Sequence, residues 1–282
     1  MSRKTKVWLI LAALLIVIGS ILFVGVMTVL NWDFTKLSTS KFETNEFIIS
    51  EKYHDISIST KTADILFLYS ESTETKVVCY EQMNMKHTVS VKDGTLLIEV
   101  EDTRKWYEYI GISFLMPKIT VYVPQGAYGD LTVHSATGNV EVPEGFDFQR
   151  MDISVSTGAV SVSGVTCDGD MGIYVTTGRA SITDVRCNTL RTAGSTGDLY
   201  MRNVIAAETL SAERATGSIT LEKCDAAELY LKTSTGNVTG SLLSEKIFTA
   251  QTGTGHVDVP DTASGGKCEI YTGTGSIKIT LE

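Results

Sequence analysis

The sequence predicts an all-β protein, a β-solenoid with 19–20 residues per coil, preceded by one transmembrane helix. Three observations lead to this prediction. An uncharged apolar run of 24 residues lies near the N-terminus, the Thr-Gly dipeptide recurs eight times in the second half, and apolar residues alternate with polar ones around each recurrence. A fixed short period is typical of repeat architectures, and alternation indicates strands rather than helices.

The first element is an N-terminal anchor. Residues 7–30 carry no charge and, as a helix, are long enough to cross the roughly 30 Å hydrocarbon core of a bilayer. Arg3, Lys4 and Lys6 precede them, so we expect residues 1–6 to be a cytoplasmic tail and the rest to be exported. The alternative is a cleaved signal peptide, which the length of the run and the lack of a small-residue cleavage site disfavour. The lipid bilayer is therefore a predicted partner.

Two segments separate the anchor from the repeats. Residues 31–46 are polar and unpatterned, which indicates a spacer off the membrane. Residues 47–125 contain short alternating runs separated by turn residues, including the hairpin signal KDGT. We expect residues 47–125 to form irregular coils or a β-cap of the same solenoid, since an uncovered solenoid end exposes strand edges.

One stretch within residues 47–125 breaks the alternating pattern and reads EDTRKWYEYIGISFLMP. Its residues Trp106, Tyr107 and Tyr109 are a candidate surface patch that meets a glycan, a partner or the membrane face. The alternative is a hairpin or capping strand whose aromatic rings are buried at the end of the solenoid. The sequence favours burial, because dense aromatic runs are mostly found in protein cores.

Residues 126–282 are predicted to be the regular repeats. Each period should form one coil, and coils should stack at about 4.8 Å through strand hydrogen bonds. The glycine of each Thr-Gly pair is expected at a corner that needs a left-handed backbone and where a Cβ would clash. The invariant threonines suggest a ladder of hydroxyl groups along the stack. The corner glycines are Gly138, Gly158, Gly178, Gly197, Gly217, Gly236, Gly255 and Gly275.

Columns of residues at fixed distances from these glycines separate an inward face from an outward face. Positions seven before, two after and seven after each glycine are apolar and predicted to point inward, as at Leu210, Leu229 and Leu243. Leu210 and Leu229 should therefore lie directly on one another in adjacent coils. The position after each glycine varies freely and is predicted to face water. Three residues before a glycine stands Arg214, which would be costly inside, so we expect a bend or bulge there.

Charge and cysteine usage exclude several classes of function. The net charge is −9 although the tail is basic, so the exported part is strongly acidic and should not bind nucleic acid. Five cysteines without a CxxC motif or zinc-type Cys/His spacing indicate neither a disulfide framework nor a metal site. Cys224 and Cys268 fall in apolar columns. Cys167 and Cys187 stack on adjacent coils, as a small-residue corner or, alternatively, as a disulfide or redox pair.

Several of these segments together resemble a known family. The N-terminal anchor, the strands DISIST, DGTLLIEV and MPKITVYVP, and the run of Thr-Gly-x-Val coils are similar to the bacterial putative-adhesin family of β-strand-repeat envelope proteins, a domain of unknown function. The resemblance covers residues 47–282. It implies a surface-facing bacterial β-solenoid and supplies no catalytic residues.

The expected function is non-catalytic binding or scaffolding at the bacterial cell envelope, with an envelope glycan or protein as partner and no cofactor. The protein should be single-pass, with a cytoplasmic N-terminus and an extracytoplasmic C-terminal domain. One alternative is an accessory of an envelope-stress or transport system that acts through its anchor. Another is a polysaccharide lyase or hydrolase, which is disfavoured because the acids lie in different columns: Asp152, Asp170, Asp184 and Asp198.

Overall fold

The computed structural model describes residues 2–37, 40–106 and 115–282 and divides the chain into two compact units. The first unit comprises residues 1–41 and 104–115. Its helix α1 spans Arg3–Val29, and the Ser2 side chain caps it by accepting a hydrogen bond from the Thr5 N–H at 3.2 Å. The apolar side chains of α1 other than Met27 are exposed, and its length and composition suffice to cross a membrane.

The second unit, residues 42–103 and 116–282, is all-β and confirms the predicted solenoid. Its strands form one continuous sheet that winds around a single apolar core. The strands are β1 (Phe42–Ile49), β2 (Asp55–Thr62), β3 (Asp64–Ser70), β4 (Thr75–Gln82), β5 (Met85–Lys92), β6 (Thr95–Asp102), β7 (Lys118–Pro124), β8 (Ala127–Thr137), β9 (Val140–Val142), β10 (Asp147–Thr157), β11 (Val160–Ser163), β12 (Thr166–Thr177), β13 (Ala180–Thr196), β14 (Leu199–Thr216), β15 (Ile219–Thr235), β16 (Val238–Leu242), β17 (Lys246–Thr254), β18 (Val257–Asp258), β19 (Gly266–Thr274) and β20 (Ile277–Leu281).

Parallel pairing in register stacks the regular coils. Leu210 of β14 pairs with Leu229 of β15, as the repeat period predicts. Both side chains are fully buried, whereas the positions after the glycines are exposed or half-buried throughout. Each coil therefore buries its apolar columns against its neighbours, which a single coil could not do alone.

The order of the coils in space departs from their order in sequence at both ends. Strands β2 and β3 lie between β6–β7 and β8–β9. Likewise, β19 and β20 lie between β15–β16 and β17–β18. Leu229 therefore pairs with Cys268 rather than with Phe248, which corrects the expectation that each coil stacks on its neighbour in sequence. The coil of β17 and β18 is outermost, and its inward side chains Phe248 and Val257 are only partly buried.

An antiparallel hairpin covers the N-terminal edge of the parallel stack. Strands β4 and β5 pair antiparallel to β7 and β6, and β1 pairs antiparallel to β4. We call β1, β4 and β5 the N-terminal cap. Strand β1 begins at Phe42, within the segment that the sequence suggests is a spacer.

Two side chains face the opposite way from their predicted direction. Leu243 is 41% exposed, because the register shifts between β15 and β16 and places Leu242 opposite Cys224 instead. Arg214 is 3% exposed and points inward, in regular register with Gly194 on the preceding coil, so the expected bulge is absent there. Gly194 leaves the space that the guanidinium occupies, since a Cβ at this position would lie 2.1 Å from Arg214 Nη1.

Candidate functional site

The corner glycines hold the main chains of adjacent coils in close contact. Their φ angles lie between 123° and 150°, and a Cβ at any of them would lie 1.7–2.2 Å from a carbonyl oxygen of the neighbouring coil. The threonines before them face solvent, and the ladder in this column is formed by main-chain atoms. For example, the Gly158 N–H donates to the Thr177 carbonyl at 3.0 Å. A ladder of threonine hydroxyl groups is therefore not what joins the coils at this corner.

Of the three residues in the predicted aromatic patch, the structure describes only Trp106. Trp106 belongs to the first unit and is 76% exposed. Tyr107 and Tyr109 lie outside the described residues.

A row of tyrosines marks one side of the solenoid instead. Tyr174 on β12, Tyr230 on β15 and Tyr271 on β19 point outward from the strands that lead to the glycine corners. Four strand spacings of about 4.8 Å separate β12 from β19, so the row is about 19 Å long. We call the surface defined by these three residues the tyrosine face. Counting back from each glycine places all three residues in outward columns, so the sequence carries a signal for this face, although the face was not predicted from it.

Two adjoining grooves run along the tyrosine face. The groove between Tyr174 and Tyr230 has a volume of about 500 Å³, and the groove between Tyr230 and Tyr271 about 330 Å³. Glu213 and Tyr230 line both, so the two grooves adjoin at these residues. Further hydrogen-bonding side chains in their walls include Arg191, Ser211, Glu228, Lys232, Gln251 and Glu269.

Neighbouring groups hold the rings of the tyrosine face in place. The Tyr230 hydroxyl donates to Glu228 Oε2 at 2.7 Å, and this carboxylate raises the pKa of the phenol. Lys267 Nζ lies 5.4 Å from the centroid of the Tyr230 ring. Tyr174 lies against Gly172, where a Cβ would be 2.9 Å from the ring. Ordered rings beside carboxylate, ammonium and amide groups suit a flat ligand with one apolar face and many hydroxyl groups, such as a sugar chain.

A second depression, of about 650 Å³, contains the buried side chain of Lys246. Lys246 Nζ donates to Asp225 Oδ1 at 2.7 Å and also contacts Ser244 Oγ. A serine beside a lysine can act as a nucleophile and its base. Here the Ser244 hydroxyl donates to Asp225 Oδ1 at 2.9 Å, and the ammonium is itself a donor, so the lysine is not placed to accept the serine proton. The group joins β15 to the outermost strand β17, across the intervening strand β19.

Two of the outward acids are used in structural contacts. Asp184 has a φ of 53° and accepts a hydrogen bond from Asn203 Nδ2 at 2.8 Å. Asp198 follows a corner glycine and accepts from the Ser218 N–H at 2.8 Å. The two carboxylates thus lie at different corners of the coil, an arrangement that does not suit the paired acids of a glycosidase.

All five cysteines are free and buried. Cys167 and Cys187 stand opposite one another in the register of adjacent strands β12 and β13. Ala206 and Ala226 continue this column on the next strands, which fits the small-residue corner. Burial raises the pKa of the Cys187 and Cys268 thiols to about 12, so both thiols stay protonated and unreactive near neutral pH.

The fold and its surface define a class of protein: a β-solenoid with a candidate membrane helix and an exposed groove suited to binding. The family model Toastrack DUF4097 matches residues 53–282, and the chain belongs to this family. No curated protein matches the chain.

Several solved structures are similar to the chain. One, described as a putative lipid binding protein from Parabacteroides distasonis, is 14% identical, with 86% of this chain and 98% of that chain covered and a TM-score of 0.50. Another, a putative adhesin from Bacteroides fragilis, is 16% identical, with 86% and 99% covered and a TM-score of 0.42. A putative adhesin from Parabacteroides distasonis is 12% identical, with 86% and 98% covered and a TM-score of 0.46. At these identities the likeness concerns the fold alone.

Proposed function

We propose that the protein is a non-catalytic binding module held in the bacterial cell membrane by α1, and that its tyrosine face binds an envelope glycan. The N-terminus lies in the cytoplasm and the solenoid outside. The proposal depends on the pair of adjoining grooves that together contain Tyr174, Tyr230 and Tyr271, with charged and amide groups between them. A row about 19 Å long can contact several consecutive sugars of one chain. The adhesin descriptions of two similar structures agree with a binding role.

The test is a co-sedimentation assay of the full chain, in detergent, with isolated cell-wall glycans. Tyr230→Ala should weaken binding at least about tenfold, because truncating a central aromatic side chain typically costs more than about 1.4 kcal/mol. Tyr200→Ala is the matched control: Tyr200 also bonds a glutamate, Glu222 at 2.5 Å, but it lies on the short side of its coil after the glycine corner. Equal losses in the two variants, or no binding by the unchanged protein, would refute the proposal.

A second variant distinguishes glycan binding by the solenoid from an accessory role that acts through the anchor helix α1. Residues 7–30 are replaced by an unrelated apolar helix of the same length. If the solenoid carries the function, glycan binding and the associated cellular phenotype both persist. If the phenotype disappears while binding persists, an accessory role of α1 in an envelope-stress or transport system is favoured instead.

A further inference from the structure

Three side chains that can bind metal ions meet inside the N-terminal cap. Cys79 and Glu81 alternate on β4 and point to the same side, and the β4–β5 hairpin brings His87 against them. Their ligand atoms all lie within 4.8 Å of one another. Cys79 and Glu81 are completely buried, and His87 is 3% exposed. Sequence spacing does not reveal this group, because the hairpin rather than a short motif brings the histidine to the other two.

Polar neighbours already orient two of these side chains. His87 Nδ1 lies 2.7 Å from Glu81 Oε2, while His87 Nε2 lies 2.8 Å from Thr60 Oγ1. Asn45 Nδ2 donates to the other carboxylate oxygen, Glu81 Oε1, at 2.8 Å. Such outer partners are typical of metal sites, where they fix the ring and the carboxylate. Glu81 Oε2 also accepts the His87 main-chain N–H at 2.7 Å, so this oxygen keeps one lone pair for an ion.

We propose that Cys79, Glu81 and His87 bind one divalent transition metal ion, and that zinc is the ion that suits this mixture of sulfur, oxygen and nitrogen donors. Tetrahedral zinc bonds of about 2.0–2.3 Å with a single sulfur ligand imply ligand atoms about 3.3–3.7 Å apart. To reach that geometry, atoms at the present limit of 4.8 Å must approach by about 1 Å, and His87 Nδ1 and Glu81 Oε2, now 2.7 Å apart, must separate by about 0.7 Å. A water molecule completes the tetrahedron.

Charge balance favours the loaded site. A thiolate, a carboxylate and a neutral imidazole around Zn²⁺ sum to zero charge, which suits a position sealed from solvent. Starting from a neutral imidazole, binding moves the ring proton of His87 from Nδ1 to Nε2, and the Nε2–H then donates a hydrogen bond to Thr60 Oγ1. Binding also releases the thiol proton of Cys79, so one proton leaves for each ion bound. In the metal-free cap, burial and the nearby Glu81 raise the pKa of that thiol to about 12.

The test uses cobalt as a coloured substitute for zinc in the full chain. Cobalt is added to the folded protein and also during refolding, because buried ligands admit an ion only when the cap opens. A near-ultraviolet thiolate-to-cobalt band should develop and saturate at one ion per chain. Zinc should raise the unfolding midpoint by at least about 5 °C.

Cys79→Ala is the diagnostic variant, since it leaves the bonds between Glu81 and His87 in place. It should lose the cobalt band and the zinc-induced rise in midpoint. Cys268→Ala, which removes an equally buried thiol elsewhere in the solenoid, should keep both. The proposal is wrong if the unchanged protein gives no band under either loading procedure, or if the band survives in Cys79→Ala.

Discussion

Replacing a corner glycine by alanine should destabilise the solenoid far more than the same change at a hairpin glycine. At Gly217, φ is 143° and a Cβ would lie 2.2 Å from the carbonyl oxygen of Gly197. At Gly94, in the β5–β6 turn, φ is 78° and a Cβ would meet nothing within 4 Å. Both positions need a left-handed backbone, so the pair isolates the effect of steric overlap between coils.

The magnitudes follow from these contacts. Gly94→Ala should cost about 1 kcal/mol, the usual penalty for alanine in left-handed backbone. Gly217→Ala carries a similar penalty and must also separate the coils, because the overlapping carbonyl belongs to the main chain. That separation strains the bonds from the Gly197 N–H to the Thr216 carbonyl and from the Gly217 N–H to the Thr235 carbonyl, at 2.9 and 2.8 Å. At about 1 kcal/mol for each bond and 1–3 kcal/mol for strain, the left-handed penalty included, the total is about 4 kcal/mol.

Urea unfolding of the full chain in detergent, followed by far-ultraviolet circular dichroism, measures the difference. For a domain of this size, the corner variant should also unfold about 10 °C below the unchanged protein, and the hairpin variant about 3 °C below it. If Gly217→Ala costs no more than Gly94→Ala, the corner carbonyls are free to move, and the close stacking described above does not limit stability.

Three further predictions concern side chains of the coils. Arg214→Met should raise the free energy of unfolding by about 1–3 kcal/mol, because Nε and Nη1 of the buried guanidinium have no hydrogen-bond partner; a lower urea midpoint would contradict this. Leu210→Ala should cost about 3–5 kcal/mol, whereas Leu243→Ala at its exposed position should change stability by less than about 0.5 kcal/mol in the same assay. The pKa of the Cys268 thiol is 9.0 in the unfolded chain and about 12 in the folded one, so the free energy of unfolding should fall as the pH rises from 9 to 12. Urea titrations at several pH values measure this slope, and Cys268→Ala should reduce it by up to about 1.4 kcal/mol per pH unit.

The pairing of most coils could be predicted because stacking imposes the same demand on every repeat. An inward position must be apolar in each coil. Leu210 and Leu229 each stand seven residues before a corner glycine, and this equal spacing predicts that they contact one another. The order of the last coils could not be predicted in this way. Phe248 and Cys268 both satisfy the inward column, and either could cover Leu229. The longer connection after β18 lets the final coil fold back between its two predecessors.

The alternation of apolar and polar residues also does not predict the hydrogen bonds that outward side chains make. The position after each corner glycine varies in the sequence, yet several of its residues bond the next coil. Asn139 Oδ1 accepts from the Ala159 N–H at 2.9 Å, and Asn237 Oδ1 accepts from the Ser276 N–H at 2.8 Å. The bonds of the cap are harder still to foresee, because Asn45, Thr60 and His87 come from three separate strands.

The candidate site follows from the difference between the two kinds of column. Inward residues are constrained by packing, so an aromatic ring there indicates only the fold. Outward residues on the long strands do not contribute to the core, and a partly exposed ring gains less from hydrophobic burial than a fully buried one. Tyr174 and Tyr271 remain 37% and 43% exposed, one in each of the two adjoining grooves. Folding alone does not require rings at these positions, whereas a ligand that covers the groove would bury them, and this makes the tyrosine face the part of the solenoid where a binding function can be sought.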